Sequence, residues 1–222
     1  MIKPLLYKIF ICAGLASFIV YSAGCQSAYY KTMEAFGKQK RDILVSRVEK
    51  ARDAQQDTKK EFQSALEKFS SVVKVPSSEL QNKYNELKAE LDKSEASAKN
   101  VSNRIADVES VTKALFKEWK SELDQYTNQD LRRASEQKLK QTQARCDQLI
   151  GAMKQAERKM EPVLSAFRDQ VLFLKHNLNA QAVASLQGEL VSIESNVASL
   201  VKDMDKSIAE ANAFISTMAA EQ

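Results

Sequence analysis

The sequence predicts an all-α fold, an elongated antiparallel bundle (or coiled coil) of about four long helices. Three observations carry that expectation. Apolar residues recur at spacings of three and four, the period of one helix face. Chain breakers are scarce: past residue 24 there are three glycines (Gly37, Gly151, Gly188) and two prolines (Pro76, Pro162). Strand-like alternation between turn clusters is absent.

The first segment, near 27–74, has the weakest seam: Met33, Gly37, Lys40, Leu44, Val48, Ala51, Gln55, Thr58, Phe62, Leu66, Phe69, Val73. It carries two four-four stutters and polar residues in its middle. The second, near 78–126, is the most regular. Leu80, Tyr84, Leu87, Leu91, Ser94, Ala98, Val101, Ile105, Val108, Thr112, Leu115 and Trp119 alternate steps of four and three. A 3.5-residue repeat of this kind stays against a partner only in coiled-coil-like packing.

The pattern pauses at Tyr126-Thr127-Asn128-Gln129-Asp130, a cluster of loop-tolerant and N-capping residues. It resumes over 130–178 through Leu139, Thr142, Cys146, Leu149, Met153, Ala156, Met160, Val163, Phe167, Val171, Leu174 and Leu178. Pro162 falls inside this run without breaking its register, which predicts a kink and no boundary. Asn179 is placed to cap the last segment, 180–219, whose seam runs through Val183, Leu186, Leu190, Ile193, Val197, Leu200, Met204, Ile208, Ala211, Ile215 and Met218. Connections this short make each helix antiparallel to the one before it, so an up-down-up-down bundle is the simplest closure. Two hairpins end to end, or one straight helix over 130–219, are the alternatives. Glu79–Lys83 and Glu34–Lys38 are expected i, i+4 ion pairs on the outer faces.

The N-terminal segment has a different character. Lys3 and Lys8 precede an uncharged stretch from Ile9 to Gly24 that ends in Ser22-Ala23-Gly24, directly before Cys25. A basic start, an apolar middle and a small-residue exit describe a secretory signal. With cysteine at the exit it resembles a bacterial lipoprotein signal, which implies removal of residues 1–24 and acylation of Cys25. Ala23 and Gly24 fit that pattern, and Ser22 stands where Leu is usual. Gln26, where an Asp would retain such a lipoprotein in the inner membrane, implies the outer membrane facing the periplasm. The alternative is an uncleaved anchor, although Ile9 to Val20 gives only twelve strongly apolar residues against the roughly 20 a spanning helix needs. Residues 25–222 are then expected to form a single helical domain. Tyr29 and Tyr30 are placed to sit in the headgroup region, and Lys38, Lys40 and Arg41 to meet anionic headgroups. The membrane is thus the first expected partner, with envelope proteins or self-association as others.

The composition restricts the chemistry. Without Lys3 and Lys8 the basic count falls from 33 to 31 against 29 acids. A balance so close to neutral is not that of a nucleic-acid binder. Removing Cys12 and acylating Cys25 leaves Cys146 alone, unable to form an internal disulfide. His176 is the one histidine, and Phe173 stands three before it, so a bundle di-iron motif of the Glu-x-x-His type is missing. No glycine-rich phosphate loop occurs. Neither catalysis, a cofactor nor a metal is expected, and Cys146, on a seam position, reads as a buried inert thiol.

Three stretches carry a resemblance: Cys25-Gln26-Ser27-Ala28-Tyr29-Tyr30, Lys40-Arg41-Asp42-Ile43-Leu44-Val45, and Phe167-Arg168-Asp169-Gln170-Val171-Leu172-Phe173-Leu174-Lys175-His176-Asn177-Leu178-Asn179-Ala180. The chain resembles a proteobacterial lipoprotein family catalogued as domain of unknown function 2959, along its length from Cys25 onward. The resemblance implies an all-helical envelope protein and brings no activity or ligand with it. The expected role is a lipid-anchored structural or interaction protein. The competing reading is a small-ligand or enzymatic module at a bundle end, built on His176, Asn177, Asn179 and Asp169.

Overall fold

A computed structural model of the chain describes residues 39–74 and 76–220. The chain divides into two compact units, Met1–Ile43 and Leu44–Gln222. The described residues of the first, 39–43, open helix α1 (Lys40–Val72). A short 3-10 turn, Ser77–Glu79, leads into α2 (Leu80–Leu123), followed by α3 (Gln129–His176) and α4 (Ala180–Ala220). At 1.5 Å per residue the 44, 48 and 41 residues of α2, α3 and α4 make helices of about 60–70 Å. No strand occurs among the described residues.

Side-chain pairs in the second unit fix the topology. As the number climbs on α1 from Arg47 through Ser64 to Lys68, the partner on α2 falls from Asp107 through Glu90 to Glu86. Against α4 the same helix runs from Arg52 through Gln55 to Lys59 while the partner falls from Asn212 through Ser207 to Asp205. Glu109–Lys154 and Glu95–Arg168 tie α2 to α3 in opposite directions. Gln148–Glu210 and Lys159–Ser199 do the same for α3 and α4. Each helix is therefore antiparallel to both neighbours in the ring α1–α2–α3–α4. The diagonal pair meets through Phe69 and Phe167, whose rings stand edge to face at 6.2 Å. This is the up-down-up-down bundle, and the links between α1 and α4 rule out two hairpins end to end.

The predicted seams are the core. Leu87, Leu91, Ala98, Val101, Ile105 and Val108 of α2 are buried, as are Leu139 through Leu174 of α3 at every seam position. Each large aliphatic side chain buried this way contributes about 1.5–3 kcal/mol. Leu115 and Trp119, at the far end of the α2 seam, are only half-buried. In α1 and α4 the buried positions slide by one residue in places: Ala65 in preference to Leu66, Val72 to Val73, Ala182 to Val183, Ser207 to Ile208, Phe214 to Ile215. A helix with two neighbours and a diagonal partner buries a wider stripe than a two-stranded seam. The same width explains buried Glu90, Val111 and Phe116 on α2 and Leu164 on α3.

Helix ends follow local chemistry. Asn128 Oδ1 accepts from the backbone N–H of Asp130 and of Leu131, which starts α3. Residues 177–179 stop it and restart the chain, so 130–219 is not one helix. Helix α3 runs unbroken through Pro162. Its ring cannot donate to the carbonyl four residues back, and both Pro162 and Arg158 are exposed, where water can satisfy that carbonyl. The expected Glu79–Lys83 pair does not form. Glu79 ends the 3-10 turn ahead of α2, and Lys83 binds Glu86 at 3.0 Å within the helix.

Candidate functional site

The 167–180 motif builds the α3–α4 turn, and most of it is accounted for by structure. Phe167, Val171 and Leu174 enter the core. Arg168 donates to Glu95 across the α2–α3 boundary (2.6 Å) and to Glu161 one stripe back on its own helix (3.1 Å). Asn177 Nδ2 donates to the Phe173 carbonyl (2.9 Å) while its backbone N–H donates to the Leu174 carbonyl (3.2 Å), closing α3. Asn179 Oδ1 accepts from the Ala182 backbone N–H at 3.0 Å, the expected cap of α4. Two of the four candidate ligand residues are thus engaged at helix ends. The other two, Asp169 and His176, are exposed and two turns apart on α3, separated by about 10 Å along its axis. They share a face without forming a pair. Leu172 (59% exposed) and Phe173 (37%) lie between them.

Cys25, Tyr29, Tyr30 and Lys38 lie outside the described residues, as does the N-terminal apolar segment. Lys40 and Arg41 form the first turn of α1, both half-buried. No described helix is long and apolar enough to cross a membrane. Among the described residues no three His, Cys, Asp or Glu side chains gather as a metal would require. Cys146 is buried against the core, and desolvation pushes its thiol up to about 12, with Asp147 adding and Arg145 opposing. Almost none of it is thiolate at neutral pH, the form that reacts.

The core has a polar waist. Gln55 and Ser207 are fully buried, and Ser207 Oγ donates to Gln55 Oε1 at 2.8 Å. Thr58 and Ser94 are buried at adjacent seam positions on α1 and α2. Gln55 Nε2 and Ser94 Oγ have no hydrogen-bond partner among the described residues. Nearby on α4, Asp203 binds Lys159 at 2.6 Å, and this bond holds the carboxyl below its ordinary range against the opposing effect of desolvation.

Outer faces are largely a mesh of paired charges, and one groove departs from it. Between α2 and α3 a groove of about 520 Å³ is floored by Thr112, Phe116 and Ile150 and rimmed by Lys113, Lys117 and Lys120. The seam pattern does not single this groove out. The available signal was three lysines at steps of four and three on the flank of a seam, with an off-seam Phe116 among them. A second groove, of about 480 Å³ between α1 and α4, is lined by Leu66, Val197 and Val201 among others.

A family model described as "Protein of unknown function (DUF2959)" matches residues 29–218. The chain belongs to the DUF2959 family. The match takes in α1, α2, α3, the 167–180 motif and all but the last two residues of α4, so family membership and the four-helix bundle cover nearly the same stretch. No curated protein matches the chain. The DUF2959 description names no activity, and the functional reading rests on this chain's own residues.

Proposed function

We propose that this DUF2959 protein is a lipid-anchored helical scaffold or spacer of the cell envelope, acylated on Cys25, held at the periplasmic face of the outer membrane and acting through contacts with envelope proteins or further copies of itself, without catalysis. The observation that carries the reading is the junction at Cys25. An uncharged segment ends in Ala23-Gly24-Cys25, and beyond it the chain becomes charged and helix-patterned to its end. Support comes from the antiparallel bundle. The start of α1, the α2–α3 turn and the end of α4 share one end, and the α1–α2 and α3–α4 turns share the other. The two ends of this bundle are separated by helices of about 60–70 Å, a span that suits a spacer with partners at its ends.

Metabolic labelling with a fatty-acid analogue, followed by membrane fractionation, tests the anchor. The wild-type chain should carry label and fractionate with the outer membrane. Cys25→Ser should lose both, because the thiol is the acceptor. Label that persists on Cys25→Ser would overturn the lipoprotein reading in favour of an uncleaved anchor.

A further inference from the structure

We propose that the α2–α3 groove binds a single-chain anionic amphiphile, a long-chain fatty carboxylate, with its chain along the apolar floor and its head on the lysine rim. The inference goes beyond the scaffold reading and does not depend on the fate of Cys25. Lys113, Lys117 and Lys120 lie on one face of α2 at steps of four and three. Like charges at that spacing oppose helix formation. Elsewhere on α2 four of the five basic residues are offset by acids, in Lys83–Glu86, Lys88–Asp92, Lys93–Glu90 and Arg104–Asp107, and exposed Lys99 stands singly. The three groove lysines are exposed and make no ion pair among the described residues. Three uncompensated cations in a row are a cost to the helix that an anionic head would offset.

The floor supplies the other half of the ligand. Phe116 is buried and Ile150 half-buried at the boundary of the two helices. Beside them Thr112 is buried with its hydroxyl unpartnered among the described residues. Glu109 at one end is bound across the groove to Lys154 (3.2 Å), which offsets its charge at that end of the rim. Asp147 is the remaining carboxylate of the lining, against three lysines. From Glu109 to Lys120 the lining spans about 16 Å along α2, and a groove of about 520 Å³ has the size of a site for a single small amphiphile. Cations beside an apolar slot read a charged head and a chain together, a combination that neither an inorganic anion nor a neutral lipid offers.

Trp119 supplies the readout. It is the one tryptophan of the chain, one turn from Phe116 and adjacent to Lys120, fixed by an Nε1–H bond to Ser135 Oγ at 2.9 Å. The full chain is held in nanodiscs of neutral phosphatidylcholine and titrated with dibromostearate, whose bromines quench tryptophan on contact. Saturable quenching of Trp119 at one acid per chain is expected, reversed by unlabelled stearate. The variant K113Q/K117Q/K120Q should weaken binding at least tenfold with unchanged helical circular dichroism, while K88Q/K93Q, on paired lysines, should leave it alone. The neutral methyl ester of the brominated acid should give no saturable step. Equal curves for wild type and the triple variant, equal binding of the ester, or absence of a saturable step would each overturn the assignment. Displacement by an acidic helical peptide but not by stearate would give the groove to a protein partner, and that also overturns it.

Discussion

Around Val48, Ile105, Ala156 and Phe214 the core is apolar on all four helices, whereas two turns further along α1 Gln55, Thr58, Ser94 and Ser207 make it polar. The apolar layers supply most of the stability, because burial of hydrocarbon is non-directional and grows with area. The waist contributes little net energy, and two of its polar atoms lack partners among the described residues. What it can contribute is register. Slipping α1 past α4 by one turn would keep hydrocarbon against hydrocarbon in the apolar layers but would break Ser207 Oγ to Gln55 Oε1 (2.8 Å) and bury both groups unpaired. Layers that bind strongly without choosing an alignment are thus combined with one that chooses it.

Substitutions on the two sides of that contrast should differ in size and in sign. Ile105→Ala removes hydrocarbon from a site that cannot collapse and should cost about 2–5 kcal/mol in urea unfolding. Leu115→Ala, half-buried at the end of the same seam, should cost distinctly less. In the waist, Ser207→Ala strands the buried Gln55 amide and should cost about 1–3 kcal/mol. The double variant Gln55→Leu/Ser207→Ala removes both polar partners and should recover most of that loss or exceed wild type. A double variant that is less stable than Ser207→Ala alone would show that the polar pair is a net stabiliser, and the contrast would break.

Smaller effects sharpen the account at its edges. Asn179→Ala removes the cap from Ala182 N–H and should cost about 1 kcal/mol, whereas exposed His176→Ala should leave the unfolding midpoint unchanged. Asp203 adds a pH dependence beside the waist. Its folded pKa lies below the ordinary aspartate value because of Lys159. Its contribution is therefore present above pH 4 or so and is lost as the pH falls through the lowered folded value. Asp203→Asn should flatten the acid limb of stability against pH, with no change at neutral pH in the shape of the profile.

Much of this bundle was legible because seam residues declare themselves by spacing. The α2 seam from Leu87 to Thr112 and the α3 seam from Leu139 to Leu174 are buried where the pattern puts them, and Asn128 and Asn179 cap where their side-chain chemistry suits. The one-residue slides at Ala65, Ala182 and Ser207 were not legible, since a heptad pattern assumes one partner and these helices have two neighbours and a diagonal. The polar middle of α1 was visible as an interruption, but its pairing with Ser207 depends on which helix closes the ring. Of the predicted site, Asn177 and Asn179 serve the turn, and Asp169 and His176 stay apart. The α2–α3 groove escaped because its lysines and Phe116 flank the seam, and their shared slot with Ile150 exists only once α3 folds back.

The division of labour within the core is tested most directly by native-state hydrogen exchange along the full chain. Amides of Val101 to Thr112 should exchange only through global unfolding. Those of Gln55 to Thr58 should open with a distinctly lower free energy, because fewer buried apolar contacts oppose local separation there. Equal protection of the two stretches would contradict the account and place the waist among the stabilising layers.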